Sequence, residues 1–281
     1  MKKFALEILF RITGIGAASG LVYNDGNLWL TADNSHILYE YNIEKHSLEK
    51  TALVNKEYLG PQENIPKKDK PDYEAIAIKG DSIYLVGSGS GENRNLIGHV
   101  DLSTKKLYPH IDATDLYLAM QGFAEISPED FNIEAAVNEG NTWYLLNRGN
   151  GPKKQNGIFT LNGTMNDTSF QIVYNAIKLP KINGVQATFT DACIANGKLY
   201  FIAAAENTTS TYADGAVAGT LLGRMNLDKM KVEKTVVISE KNKFEGITVF
   251  KETDKELEFL LCEDTDSDVT ESTIYKLSIK K

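Results

Sequence analysis

Glu74-Ala75-Ile76-Ala77, followed after a Gly80-Asp81 turn by Ser82-Ile83-Tyr84-Leu85, carries the pattern that decides the fold. An acidic or small polar residue precedes a Gly or Ala, then come an apolar stretch, a turn and a second apolar strand. Working outward, Ser19-Gly20-Leu21-Val22 leads to Asn27-Leu28-Trp29-Leu30 in the same way, and Glu134-Ala135-Ala136-Val137 to Thr142-Trp143-Tyr144-Leu145. Asp191-Ala192-Cys193-Ile194 precedes Lys198-Leu199-Tyr200-Phe201, and Glu245-Gly246-Ile247-Thr248 precedes Leu257-Glu258-Phe259-Leu260. The first residues of these motifs are spaced by 55, 60, 57 and 54 positions. The 36 residues after Glu245 and the 18 before Ser19 make a further unit of 54, so the repeat is circular.

Asp25-Gly26, Gly80-Asp81, Gly140-Asn141, Asn196-Gly197 and Asp254-Lys255 stand between the paired strands, mostly as hairpin signals. Two more strand-like stretches follow in a unit, such as Ile37–Asn42 with Leu48–Leu53, or Leu96–Asp101 with Lys106–Ile111. Four antiparallel strands per unit, repeated in a circle, predict an all-β, five-bladed β-propeller spanning residues 1–281 as one domain. Blades begin near 19, 74, 134, 191 and 245, and residues 3–12 supply the last strand of the last blade. Neither end has the polar cap that an open solenoid requires. Residues 113–121 predict a short helix between the second and third blades, and Pro61 to Pro71 a surface loop.

Of the 281 residues 42% are hydrophobic and 24% charged, which excludes a disordered chain. Thirty basic against 38 acidic residues give a net charge of −8 without a basic stripe, so nucleic acid is not an expected partner. No apolar run approaches a membrane span. Cys193 and Cys262 read as buried free thiols. Met1-Lys2-Lys3 suggests a signal peptide, but Glu7 and Arg11 interrupt its apolar segment. A monomer in the cytoplasm is the expectation, with the periplasm as the alternative.

In a propeller the first strand of each blade lines the axis, and a small residue after the motif acid lets crowded strands approach. Ser19, Glu74, Glu134, Asp191 and Glu245 are therefore expected to form a ring. The polar loops carrying Asp33, His36, Ser88, Arg148, Glu206, Glu263 and Asp264 lie beside it and make one candidate mouth for a small-molecule ligand. Four carboxylates about one axis cannot all ionise cheaply. A cation is one remedy, and hard oxygen donors without paired His or Cys suit Ca²⁺ or Mg²⁺. Arg148 is an internal rival to a metal. Three roles are open for the ring: locking the blades together, holding metal through Glu74, Glu134, Asp191 and Glu245, or catalysis by Glu74 and Glu134.

Gly87-Ser88-Gly89-Ser90-Gly91 lacks the Gly-x-Ser-x-Gly arrangement of a nucleophile elbow. Asp264-x-Asp266-x-Asp268 begins like a calcium loop, but Val269 stands where the turn glycine belongs. No dinucleotide or P-loop fingerprint is present. Of the four histidines only His36 falls at the mouth.

Ser19-Gly20-Leu21-Val22-Tyr23 leading to Leu28-Trp29-Leu30-Thr31-Ala32-Asp33 resembles the opening blade of the esterase-like phytase-type propellers and of the SdiA-regulated propellers. Asp72-Tyr73-Glu74-Ala75-Ile76-Ala77 is similar to their Asp-x-Glu-Gly-Ile motif, and Phe244-Glu245-Gly246-Ile247 to a later copy. Ala75 in place of Gly and five units where such relatives often have more are departures that point to a bacterial branch of that superfamily. The resemblance implies calcium near the ring at Glu74, Glu134, Asp191 and Glu245. For the mouth, binding of a small ligand or hydrolysis of a phosphoester, ester or lactone is the expectation, and the alternative is a non-enzymatic ligand- or protein-binding scaffold whose acidic ring is purely structural.

Overall fold

Alternating apolar residues and tight turns fold here into five antiparallel sheets arranged as a five-bladed propeller. The structure, a computed structural model, describes residues 4–16, 18–165, 171–207, 215–263 and 270–281. After β1 (Phe4–Thr13), blade one comprises β2 (Ala18–Asn24), β3 (Asn27–Ala32), β4 (Ile37–Asn42) and β5 (Ser47–Ala52). Blade two comprises β6 (Tyr73–Lys79), β7 (Ser82–Gly87), β8 (Leu96–Asp101) and β9 (Ile111–Asp112), and is followed by helix α1 (Thr114–Ala124). Blade three comprises β10 (Ile133–Glu139), β11 (Thr142–Asn147), β12 (Gly157–Asn162) and β13 (Gln171–Ala176). A short β14 (Lys181–Ile182) leads into blade four, with β15 (Val185–Ala195), β16 (Lys198–Glu206), β17 (Val217–Asn226) and β18 (Lys231–Ser239). Blade five is β19 (Phe244–Glu252), β20 (Glu256–Glu263), β21 (Glu271–Lys280) and then β1.

The ends of the chain close the ring. β1 runs antiparallel to β21 from Phe4 opposite Ile279 to Thr13 opposite Glu271. The inner strands β2, β6, β10, β15 and β19 touch in that order and back to β2. One apolar layer fills each gap between blades: Trp29 with Tyr73, Phe131 with Phe159, Phe189 with Leu146, Tyr200 with Phe259, and Leu260 with Leu30 lie in the five layers. Each such side chain, fully buried, contributes about 1.5–3 kcal/mol. Among the described residues no helix is long and apolar enough to cross a membrane.

Turn chemistry follows the sequence where both residues accept positive φ, as at Asp25-Gly26 (46° and 82°) and Asn196-Gly197 (52° and 62°). At Asp254-Lys255 the pairing ends with Glu252 opposite Leu257, so a longer connection replaces the tight hairpin. The fourth strand of blade two also differs from the expected Lys106–Ile111. It is reduced to a bridge between Val100 and Leu107 and the two residues of β9. Pro109 explains the break, because it has no N–H to give to the sheet. The predicted helix is present and runs to Ala124, where Glu125 ends it in the left-handed conformation (φ 54°). The segment from Pro61 to Pro71 is not wholly superficial: Ile65 and Lys70 are buried. Neither cysteine is in a disulfide; Cys262 is buried and Cys193 half-buried.

Candidate functional site

Every inner strand carries a bulge at the same place. The register slips between Ala18 and Gly20, Tyr73 and Ala75, Ile133 and Ala135, Phe189 and Asp191, and Phe244 and Gly246. The extra residue is therefore Ser19, Glu74, Glu134, Thr190 or Glu245. A bulge re-aims its side chain out of the regular pleat, which is how the fold gathers these residues at one end of the axis.

This register corrects the fourth motif by one position. Thr190 stands at the bulge, and Asp191 occupies the place of Gly20, Ala75, Ala135 and Gly246. Its carboxylate is buried and accepts the Ile247 N–H at 2.7 Å, which ties blade four to blade five. Thr190 adds a hydrogen bond from Oγ1 to the Phe244 carbonyl at 2.8 Å. Burial, opposed by the Ile247 and Ala192 N–H groups, holds the Asp191 carboxyl well above its usual range.

The small residue after the bulge matters most at Gly246. A Cβ there would lie 2.3 Å from Leu21 Cδ2 and 2.7 Å from Cys262 Sγ.

Two buried charge clusters flank the axis. In the first, the Lys70 ammonium bonds both Asp33 and Asp72 Oδ1, the latter at 2.6 Å. Arg94 Nη1 reaches Asp72 Oδ2 at 2.9 Å, and the Ser88 and Ser90 hydroxyls donate to the same oxygen. Burial works against the Asp72 charge, but Lys70 and Arg94 hold its carboxyl below the usual carboxylate range. Burial likewise opposes the Lys70 charge, and the Glu74, Asp72 and Asp33 carboxylates outweigh it, so the ammonium stays fully charged. Asp72 has φ of +58°, a backbone conformation that costs energy for a non-glycine residue and often marks a functional site. Ser19 accepts the Asp33 N–H at 3.1 Å.

In the second cluster Arg148 bridges Glu134 (3.1 Å) on blade three and Glu206 (2.7 Å) on blade four. Lys243 lies 2.9 Å from Glu245 Oε1 and 4.0 Å from Glu206. Asn132 donates to Glu134 Oε1 at 2.6 Å. Burial pushes the Glu134 carboxyl up to about 7, with Arg148 pulling it back and Glu245 adding to the rise. Glu245 Oε2 is buried and has no hydrogen-bond partner among the described residues.

Glu74 stands apart. No described residue donates a hydrogen bond to its carboxyl, although its oxygens approach those of Asp33 and Asp72 within 4.8 Å. Burial, then the Asp72 and Glu134 charges, push it well above the usual glutamate range.

The remaining expected residues are distributed as follows. His36 packs edge-on against Tyr58 (5.3 Å) and Tyr73 (6.5 Å), and burial, with the nearby His110, lowers its basicity. Glu263 is held by Asn242 at 2.6 Å and Tyr275 at 2.5 Å. Asp264, like the rest of the Asp264-x-Asp266-x-Asp268 stretch, lies outside the described residues. Of the four acids expected to hold metal, only Glu74 belongs to the group of three carboxylates that come together, with Asp33 and Asp72. Lys70, Asp72, Arg94 and Lys243 were not among the expected site residues. The signal for two of them is a lysine just upstream of a motif acid, Lys70 before Glu74 and Lys243 before Glu245.

Beyond the ring the axis continues as a cavity of about 210 Å³ lined by all five inner strands, including Val22, Ile76, Val137, Cys193 and Val249.

Residues 14–279 match the family described as a family of unknown function (DUF6929). The chain belongs to this family. No protein of curated function matches the sequence. Among solved structures the DUF6929 chain is similar to the major allergen Mala s 1 of Malassezia sympodialis, with a TM-score of 0.58 and 9% identity over 95% of each chain. It is similar to the glutaminyl cyclase of Myxococcus xanthus, with a TM-score of 0.55 and 11% identity over 97% of this chain and 96% of that one. A luciferin-regenerating enzyme gives a TM-score of 0.51 and 9% identity over 98% and 95%. At such identities the likeness is one of fold.

Proposed function

We propose that the axial mouth is a binding site for a small neutral or cationic molecule, with Glu74 as the group that receives it. One observation carries this reading. Asp33, Asp72, Glu134, Asp191, Glu206, Glu245 and Glu263 each have a lysine, an arginine, an amide or a hydroxyl against them, and Glu74 has none among the described residues. Glu74 is half-buried, and a carboxyl without a donor from the chain is completed by water or by a ligand. Anionic ligands are disfavoured, because Lys70, Arg94, Arg148 and Lys243 are all engaged by carboxylates.

Calcium, which the resemblance to phytase-type propellers implies, fits these residues poorly. Ca²⁺ takes six to eight oxygens, and the Lys70 ammonium already lies against both Asp33 and Asp72 beside Glu74. Lys70 is the internal counter-ion in this reading, and no step depends on a metal.

The contrast between Glu74, pushed well above the usual glutamate range, and Glu134, raised to about 7, supports a second reading: hydrolysis of an ester or lactone. Water would add to the acyl carbon and lose its proton to the Glu134 carboxylate. The Glu74 carboxylic acid would give a proton to the leaving oxygen. A phosphoester suits the mouth less well, for the reason that excludes other anions.

Saturation-transfer NMR of the full chain with a fragment set of neutral, cationic and anionic members tests the proposal. Neutral and cationic members should bind, and Glu74→Gln should abolish the signal while leaving the melting temperature in place. Preferential binding of anions, or binding indifferent to Glu74→Gln, contradicts it.

A further inference from the structure

We infer that the axis holds a second binding site, on the far side of the acidic mouth, and that this site takes a small uncharged apolar molecule about the size of one ring. The inference stands apart from the proposed site, since none of the mouth residues lines this well. The sequence repeat builds it. Counted from the bulge residues Ser19, Glu74, Glu134, Thr190 and Glu245, the axial cavity is lined in every inner strand by the second, third and fourth residues onward. The second positions, Leu21, Ile76, Ala136, Ala192 and Ile247, are all buried and form the floor. The fourth positions, Tyr23, Ile78, Asn138, Ile194 and Val249, are half-buried. Exposure thus rises along the strands, and the well opens toward the hairpin turns, away from the polar loops of the mouth.

The walls select against charge. None of the lining residues is Asp, Glu, Lys, Arg or His, although the same five strands carry three glutamates a few residues earlier. The polar groups at the rim are engaged within the chain: the Tyr23 N–H donates to Thr248 Oγ1 at 3.0 Å, and Asn138 Nδ2 donates to the Thr142 carbonyl at 3.0 Å. The half-buried Cys193 thiol adds a small apolar surface. An ion entering here would give up its water with no counter-charge to replace it, whereas a hydrocarbon surface removes both itself and the walls from water.

Volume sets the size of the guest. The well holds about 210 Å³, and an aliphatic cavity of roughly 150 Å³ is enough to stay dry and admit benzene. A helix, about 10–12 Å across with its side chains, is too wide for it. The occupant is therefore a small molecule and not a segment of a partner protein.

Methyl-detected NMR of the full chain, labelled at isoleucine, leucine and valine, is the test. Toluene, sodium benzoate and benzylammonium chloride are titrated at equal ionic strength, three probes that share a ring and differ in charge. Toluene should shift the methyl resonances of Ile76, Val137, Ile194 and Val249 saturably, and both charged probes should bind about tenfold or more weakly. Cys193→Phe should fill the well and abolish the toluene shifts, while Val173→Phe, at a position 53% exposed on the outer strand of blade three, should leave them intact. If Cys193→Phe does not fold, the three probes on the wild-type protein still decide the matter. Equal binding of a charged probe, the absence of saturable shifts, or toluene shifts that centre on residues beside Glu74 and spare the four well methyls would overturn the assignment.

Discussion

Arg148 Nη2 lies 2.7 Å from Glu206 Oε2, so a guanidinium carried by blade three closes on a carboxylate of blade four while its other nitrogen holds Glu134. The contact is nearly dry, and both carboxylates depend on it. Removing one partner of such a buried pair leaves an uncompensated charge and costs about 3–5 kcal/mol. Arg148→Met should lose stability on that scale in urea unfolding. A loss below about 1 kcal/mol, the scale of an exposed pair, would show that water reaches the cluster.

Glu134 gives the protein a pH dependence with a definite sign. Its folded pKa, about 7, lies above the ordinary 4.5, so between these values the native state binds more protons than the unfolded one. Its contribution is fully present below pH 4.5 and is lost as pH rises through 7. Asp72 acts oppositely, its contribution being present above 3.8 and lost in stronger acid. Melting curves between pH 5 and 8 should therefore show a decline toward pH 8 that Glu134→Gln flattens. An unchanged slope in the variant counts against the assignment.

Gly246 and Gly20 hold equivalent positions in blades five and one but should respond differently to alanine. A Cβ at Gly246 meets Leu21 at 2.3 Å, whereas at Gly20 the nearest atoms stand at 3.4 Å. Gly246→Ala should cost about 1–3 kcal/mol through overpacking, and Gly20→Ala clearly less. Equal losses in chemical denaturation would contradict the packing described.

Ring closure by β1 is tested at two of its isoleucines. Ile12 is 1% exposed in the layer between blades five and one, and Ile8 is 53% exposed. Ile12→Ala should cost about 2–5 kcal/mol, and Ile8→Ala within about 0.5 kcal/mol of nothing. A reversed order would mean that β1 does not pack as the fourth strand of blade five.

Most of this architecture was legible in the sequence because a propeller repeats one local pattern. The spacing of Ser19, Glu74, Glu134 and Glu245 and the hairpin turns between paired strands set the blades, and the alternation of Phe4, Leu6, Ile8, Phe10 and Ile12 marked β1, although Ile8 is exposed. Blade four misled because Asp191 looks like the motif acid, while the bulge falls one residue earlier at Thr190. Chemistry at the position suggested an acid, and only the pairing with β16 fixes the register. The basic half of the site was harder to read. Lys70 lies in a stretch with Lys67, Lys68 and Asp69 that reads as solvated, and its burial comes from tertiary contacts with Asp33 and Asp72. The acidic ring, for which locking, metal binding and catalysis were all open, is built as two clusters, each with its own internal cations.

The central claim, that Glu74 is a carboxyl without a hydrogen-bond donor among the described residues and receives a ligand, is tested most directly by carbon-13 NMR of the glutamate side-chain carboxyls. The Glu74 resonance is assigned by its loss in Glu74→Gln. It should titrate well above the ordinary glutamate value of 4.5. A Glu74 resonance that titrates near 4.5 would contradict the account.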